Sequence, residues 1–485
     1  MTLPIQKPLH AHFIGIAGSG MRALATVLMQ RGWIVTGSDL QPAAARKLIA
    51  RGAKVASDHA ADNVPPGAAM VIYSEAIPAE NVERKRAERL GVPTYSYAQL
   101  LGQTTASKTL VAAEIATAEP VKTLAVAGTH GKSTVTAMAA QILIRAALDP
   151  TVICGAAEVT PSRGGIGATG GRNGNGPFNL IEACEYRDNF LHLTPDVAIL
   201  LNVEPDHFDY FRTREQLLAS FAKFVDRVPD EGFVIASHDN HLAHSIAVQT
   251  GRKMTTFGIE DGADWQATKL EHSRGRYRFD LVRHGRRLTT ITLAVPGRHN
   301  VLNALAAATI ARRCGASAQQ IAQSLAAFRG LKRRLEVRSR FGTVPWIDDY
   351  AHHPTEVSAA LAAVREMFPR REIYCVFQPH QASRLTILLD EFAASLHNVD
   401  KLAVTKVFRA REGAPRPGEA TAVDLAATVR SAGISVLDEH SPAAIARHLI
   451  NDLKPSDVLV TLGAGDLGKI FHDFRERTGR DRAVA

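Results

Sequence analysis

A lysine followed by a serine at the end of a glycine-bounded turn can hold a polyphosphate. This chain has that combination at Gly128-Thr129-His130-Gly131-Lys132-Ser133-Thr134. Free backbone N–H groups in such a turn, and the positive end of the helix behind it, face an anion. Lys132 would neutralise the outer phosphates, and the Ser133 hydroxyl would ligate Mg²⁺. The complete motif asks for glycine at position 126, where Val126 stands, so the loop is a variant. An ordinary strand-to-helix turn could also carry two glycines. The apolar run before it, and the helical spacing of Val135, Met138, Ala139, Ile142 and Ala146 after it, favour an ATP site.

Two more stretches would bring charge to the same edge. Phe178-Asn-Leu-Ile-Glu182 is an apolar strand ending in a carboxylate, similar to the second acidic element of phosphate-binding ATPases, whose acid reaches Mg²⁺. Val197–Asn202 is the next strand, and Glu204-Pro-Asp-His207 follows it. In parallel α/β sheets ligand chemistry sits at the C-terminal strand ends. Glu182, Asp206 and His207 would therefore converge with Lys132. A lone histidine after a strand is usually a surface or capping residue, and only this convergence lifts His207 above that reading.

The elements around these residues read as α/β throughout. Residues 12–40 make a βαβ start: strand His12–Ile14, the turn Gly15-Ile-Ala-Gly18-Ser-Gly20, a helix from Met21 to Gln30, and a strand ending in Ser38-Asp39. The dinucleotide fingerprint wants glycine at 17, where the chain has Ala17. A diphosphate-binding turn survives this, while a nicotinamide dehydrogenase reading is weakened. Asp39 stands where a ribose-binding carboxylate is expected, although a solvent-facing acid fits equally. Residues 255–295 alternate as antiparallel β-structure. Pro296-Gly-Arg-His299-Asn300 then opens a helix whose first turn gathers His299, Asn300 and Asn303. Asn300 could cap that helix or recognise a purine. Beyond Arg334, strands alternate with amphipathic helices and describe a third α/β unit with a parallel sheet.

Length and composition agree. The 485 residues suit about three domains, here placed at 1–105, 106–330 and 331–485. The segment 103–121 reads as a linker with some helix. Seven glycines within 161–177 predict a mobile loop without packing. The net charge of +9 is scattered, with no basic stripe interleaved with aromatics, so anionic small substrates fit at least as well as nucleic acid. No apolar run suggests membrane insertion. Four widely spaced cysteines indicate neither zinc nor a disulfide framework, which points to a reducing, cytoplasmic setting.

The motifs Gly15–Met21, Gly128–Ser133, Glu204–His207, Gly297–Asn300, Asp348–Glu356, Phe377–His380 and Gly463–Asp466 fall in one order. In that order the chain resembles the Mur ligase family over nearly its whole length. The resemblance implies three domains: a Rossmann-like UDP-binding domain, a central phosphate-loop ATPase domain with a mainly parallel sheet, and a C-terminal Rossmann-like domain. The motif set is most similar to ligases that use ATP and Mg²⁺ to join L-alanine to UDP-N-acetylmuramate. A ligase of the same family that adds a tripeptide is the alternative. The resemblance also implies roles. Ser133, Glu182 and His207 would hold Mg²⁺; His299, Asn300, Asn303, Arg334 and Asp349 would serve the nucleotide. Gly15, Gly18, Gly20, Met21, Ser38, Asp39 and Ser74 would serve the UDP side. His352, His353, His380 and Arg384 would stand at the substrate junction, with His352 or His353 as candidate base. A monomer or weak homodimer is expected. Gln381, Glu75, Leu335 and Cys184 depart from the family pattern.

Overall fold

The structure is a computed structural model, and it describes residues 8–107, 121–160, 165–341, 344–437, 440–465 and 467. Three sheets follow one another along the chain. The first joins β1 (His10–Ile14), β2 (Ile34–Ser38), β3 (Lys54–Ala56), β4 (Met70–Tyr73) and β5 (Thr94–Ser96) in the all-parallel order β3-β2-β1-β4-β5. The order reverses between β1 and β4, so Gly15 and Ser74 face each other across the switch point where such sheets bind ligands. The helix Ser19–Gln30 buries Leu24, Val27 and Leu28 on one face and ends at Gly32, whose φ of +85° no β-branched residue would take.

The central sheet has ten strands: β6 (Lys122–Ala127), β7 (Thr151–Ile153), β8 (Gly171–Arg172), β9 (Phe178–Glu182), β10 (Val197–Leu200), β11 (Phe233–Ser237), β12 (Met254–Gly258), β13 (Trp265–Ser273), β14 (Arg276–Arg283) and β15 (Arg286–Pro296). β6 lies between β10 and β9, all parallel, with Val126 opposite Glu182 and Ala127 opposite Leu200. The register therefore ends β6 between Glu182 and Leu200, and a Cβ on Gly128 just beyond would fall 3.1 Å from Asn202 N. Side chains alternate across β6: Ala125 and Ala127 join one core, Leu124 and Val126 the other. Of the antiparallel structure expected at 255–295, β13, β14 and β15 form it, whereas its first residues belong to β12, which pairs parallel with β11 and β13.

The third sheet orders β16 (Glu336–Phe341), β17 (Val344–Asp349), β18 (Ile373–Phe377), β19 (Lys401–Val404), β20 (Ser435–Leu437) and β21 (Val458–Leu462) as β16-β17-β21-β18-β19-β20, parallel except for β16. Its own core includes Ile347, Leu361, Phe377 and Val460.

The glycine-rich stretch corrects the sequence reading. Its described part, 165–177, is packed rather than loose. Gly171 pairs with Ile153, and a Cβ there would overlap the Ala23 carbonyl of the first helix. Thr26 Oγ1 donates to Thr169 Oγ1 at 2.9 Å, and Arg31 Nε donates to Asn173 Oδ1 at 2.7 Å. One apolar cluster runs unbroken from Phe13 and Leu24 to Ile153 and Phe221, so the first two sheets share a core. The linker expected at 103–121 begins as the end of the helix Tyr97–Ser107. Residues 108–120 and 161–164, and Asp466, lie outside the described residues. Among the described residues no helix is long and apolar enough to cross a membrane.

Candidate active site

Gly131, at φ +84°, turns the chain out of β6 into the helix Lys132–Arg145. Glycine takes that conformation without the steric cost other residues bear. Lys132 folds back over the loop: Nζ donates to Thr129 O at 3.0 Å and lies 2.9 Å from Glu185 Oε2. Burial works against the charge of Lys132, yet Glu185 outweighs it and holds the ammonium above the ordinary lysine range. Glu185 is buried too, which raises its pKa, but Lys132 and His207 together bring it below the usual carboxylate range.

Beside them, Ser133 Oγ donates to Glu182 Oε1 at 2.9 Å, and Gly155 N donates to Oε2 at 2.6 Å. His207 Nε2 lies 3.2 Å from Glu185 Oε1. The expected set Ser133, Glu182, His207 thus gathers at one edge, with His207 connected through Glu185. A hydroxyl and two carboxylates are hard oxygen donors of the kind Mg²⁺ takes, so these residues fit the ion. Sequence reasoning missed Glu185, although a second acid three residues beyond a strand-ending acid was a readable signal.

A cleft runs from this loop to the third domain. Phe257, Leu302 and Asn303 line one side, and Leu335, Asp349 and Ala360 the other. His299 Nδ1 is buried in it without a partner among the described residues, and burial, then Arg334, lower its pKa to about 4, so the imidazole is neutral. An unpaired ring nitrogen beside apolar walls suits a purine. Asn300 does not cap its helix. Its Nδ2 donates to Pro296 O at 2.6 Å, and Asn303 Nδ2 donates to Asn300 Oδ1 at 3.0 Å. Asp349 accepts from Leu335 N and Ala351 N at 2.7 and 2.8 Å. Burial raises its pKa to about 6 against the pull of Arg334. Arg334 Nη1 is 3.6 Å from Glu356 Oε1.

The central and third domains meet across charged pairs. His130 N donates to Asn202 Oδ1 at 2.7 Å. The His130 ring lies between Glu356 (3.2 Å) and Glu204 (3.4 Å). Burial lowers its pKa, but hydrogen bonds with Glu204 and Glu356 prevail and raise it to about 9. His353 joins His130 and Glu204 in a cluster of metal-ligand type. Both its ring nitrogens are engaged, however: Nδ1 accepts from Thr355 N at 3.3 Å and Nε2 faces Pro205 O at 3.2 Å. Arg384 Nη1 lies 3.0 Å from His380 Nδ1, and the His352 and His380 rings are 5.4 Å apart. Burial, then His352 and Arg384, lower the His380 pKa to about 3.

At the first domain, Gly15 takes φ +79°, with a Cβ there falling 3.0 Å from Ser74 Cβ. Gly18 precedes the helix whose first turn holds Gly20. Asp39 closes that turn, its Oδ2 accepting from Ala17 N at 2.9 Å. Two expected contacts point inward instead. Ser38 is fully buried, donating to Glu83 Oε2 at 2.6 Å, and the Met21 side chain sits in the apolar core. A polar strand end and an apolar helix residue read as ligand contacts only until Glu83 and Leu24 are seen to claim them.

A glycine turn on one α/β domain, a phosphate loop on a second and a third domain closed over the nucleotide cleft are the arrangement of a three-domain, ATP-dependent ligase. By three successive matches, to the Mur ligase family catalytic domain (residues 10–109), the Mur ligase middle domain (126–311) and the Mur ligase glutamate ligase domain (333–465), and by full-length relatives, the chain belongs to the Mur ligase family. It is 35% identical over 473 residues to a UDP-N-acetylmuramate–L-alanine ligase of Clostridium kluyveri, covering 97% of this chain and 98% of that one. Against the same-named protein of an Anaeromyxobacter species it is 37% identical, covering 96% and 97%. The crystal structure of UDP-N-acetylmuramate-alanine ligase from Thermotoga maritima matches with a TM-score of 0.79 and 26% identity, over 98% of this chain and 100% of that one. A murein peptide ligase from Psychrobacter arcticus shares the fold at TM-score 0.69 and 23% identity, over 98% and 100%.

Proposed function

We propose that the protein joins L-alanine to the lactyl carboxylate of UDP-N-acetylmuramate, using ATP, in peptidoglycan synthesis in the cytoplasm. The observation that carries this reading is the cleft: purine-suited at His299, it leads to Lys132 and the Glu182–Glu185 edge, with the third domain closed over it. The full-length relatives named above support the choice of substrates.

A carboxylate oxygen of the sugar attacks the terminal phosphorus of ATP, and ADP leaves. The amine of L-alanine, having lost a proton, attacks the acyl carbon, and phosphate departs with that oxygen. Several negative charges meet in the first step, and Lys132 and Arg334 offset them. Lys132 exchanges Glu185 for phosphate oxygens as it does so. Ser133, Glu182, Glu185 and His207 would hold Mg²⁺, which supplies further charge compensation when bound. His352, 3.2 Å from Glu356 Oε2 and facing His380, is the candidate to receive the amine proton. Gly15, Gly18 and Gly20 would seat the diphosphate of the sugar nucleotide.

The acyl phosphate is tested with UDP-N-acetylmuramate carrying ¹⁸O in its carboxylate. One labelled oxygen should appear in each phosphate released. Unlabelled phosphate would reject the intermediate.

A further inference from the structure

Tyr97 opens the helix Tyr97–Ser107, directly after β5, and its ring reaches across to the first turn of the helix Ser19–Gln30. A Cβ on Gly20 would fall 2.7 Å from Tyr97 Cζ and 2.8 Å from Oη. Glycine at 20 therefore does more than free a turn for a diphosphate. It is the space in which the phenol lies.

Tyr97 is only partly buried, and Oη makes no hydrogen bond among the described residues. Its neighbours at one end are the glycine turn of the sugar-nucleotide domain. The helix it opens packs on the central domain, where a Cβ on Gly102 would fall 2.5 Å from His192 O, on the segment that follows Glu182 and Glu185. A substrate that binds at the turn and reacts at Lys132 must cross this seam.

We propose that Tyr97 is a substrate-positioning residue whose hydroxyl donates a hydrogen bond to an anionic oxygen of the sugar nucleotide where it passes from the glycine turn to the Lys132 edge. The inference rests on the reading of the substrate as UDP-N-acetylmuramate. A neutral donor suits this place. It adds no cation to compete with Lys132 for phosphate.

Tyr97→Phe keeps the ring over Gly20 and removes only the donor. The expected result is a fall in kcat/KM for UDP-N-acetylmuramate of roughly 10- to 100-fold, the loss of one hydrogen bond to a charged acceptor. KM for ATP and the melting temperature should stay at wild-type values. Wild-type kinetics for the sugar nucleotide in Tyr97→Phe would overturn the proposal. So would an equal loss toward ATP, which marks a merely structural role. Tyr97→Ala serves as the packing control and should be worse than Phe. Should the wild-type protein release no phosphate with L-alanine, the reaction assigned above fails separately. Tyr97→Phe is then judged by calorimetric affinity for UDP-N-acetylmuramate, where weakened binding upholds the proposal and unchanged binding overturns it.

Discussion

Arg384 of the third domain and Asp206 of the central domain form a buried ion pair, Nε and Nη2 standing 2.9 and 2.6 Å from the same Oδ1. Arg384 is 2% exposed and Asp206 5%. Burial raises the Asp206 pKa, but Arg384 reverses that and drives it far below the ordinary aspartate range. The guanidinium, expected from sequence to stand at the substrate junction, is spent largely on closing two domains.

Removing one partner of such a pair leaves a buried charge, at a cost of about 3–5 kcal/mol. Arg384→Ala should therefore open the third domain, and small-angle scattering should show a larger radius of gyration. An unchanged radius would mean the pair does not hold the domains. Since the folded pKa is depressed, the stability from Asp206 is present above about pH 4 and is lost only as pH falls through the folded value.

Lys132→Ala should lower turnover by about a thousandfold or more, because a cation facing developing phosphate charge is lost. Binding of UDP-N-acetylmuramate, seated on another domain, should change less than about twofold by calorimetry. Near-normal turnover would remove Lys132 from the reaction.

His130 gives the pH dependence an opposite sign. Its folded pKa of about 9 lies above the ordinary 6.5. Its contribution is then complete below about pH 6.5 and fades as pH rises toward 9, by about 3 kcal/mol. Thermal melting without nucleotide should show the wild type losing stability over that window relative to His130→Gln. Parallel curves for the two proteins would show that His130 is not held charged.

Gly171→Val tests the glycine stretch as a strap. The added side chain would meet the Ala23 carbonyl. A loss of about 1–3 kcal/mol in unfolding free energy is expected of such overpacking, together with a raised KM for UDP-N-acetylmuramate. Wild-type stability would mean that the contact gives way freely.

Much of this was readable in the chain because parallel strands buried on both faces are apolar runs, and glycine turns punctuate them. β9 and β17 each ended in residues that matter, and β6 ran straight into the phosphate loop. What sequence could not carry is partnership at a distance. His130 and Glu356 are 226 residues apart, and nothing local announces their bond. Glycines 171, 174 and 176 read as looseness, yet each lies against the backbone of another segment, a fact composition does not hold. Ser38 and Met21 followed motif positions correctly, but their orientation depends on Glu83 and on the shared core.

The most direct test is phosphate release from ATP in the presence of UDP-N-acetylmuramate and Mg²⁺, comparing L-alanine, glycine, L-serine and the tripeptide as acceptors. Release that depends on L-alanine, with the other acceptors weaker, is the predicted result. Release with the tripeptide alone would contradict it and make the protein a recycling ligase.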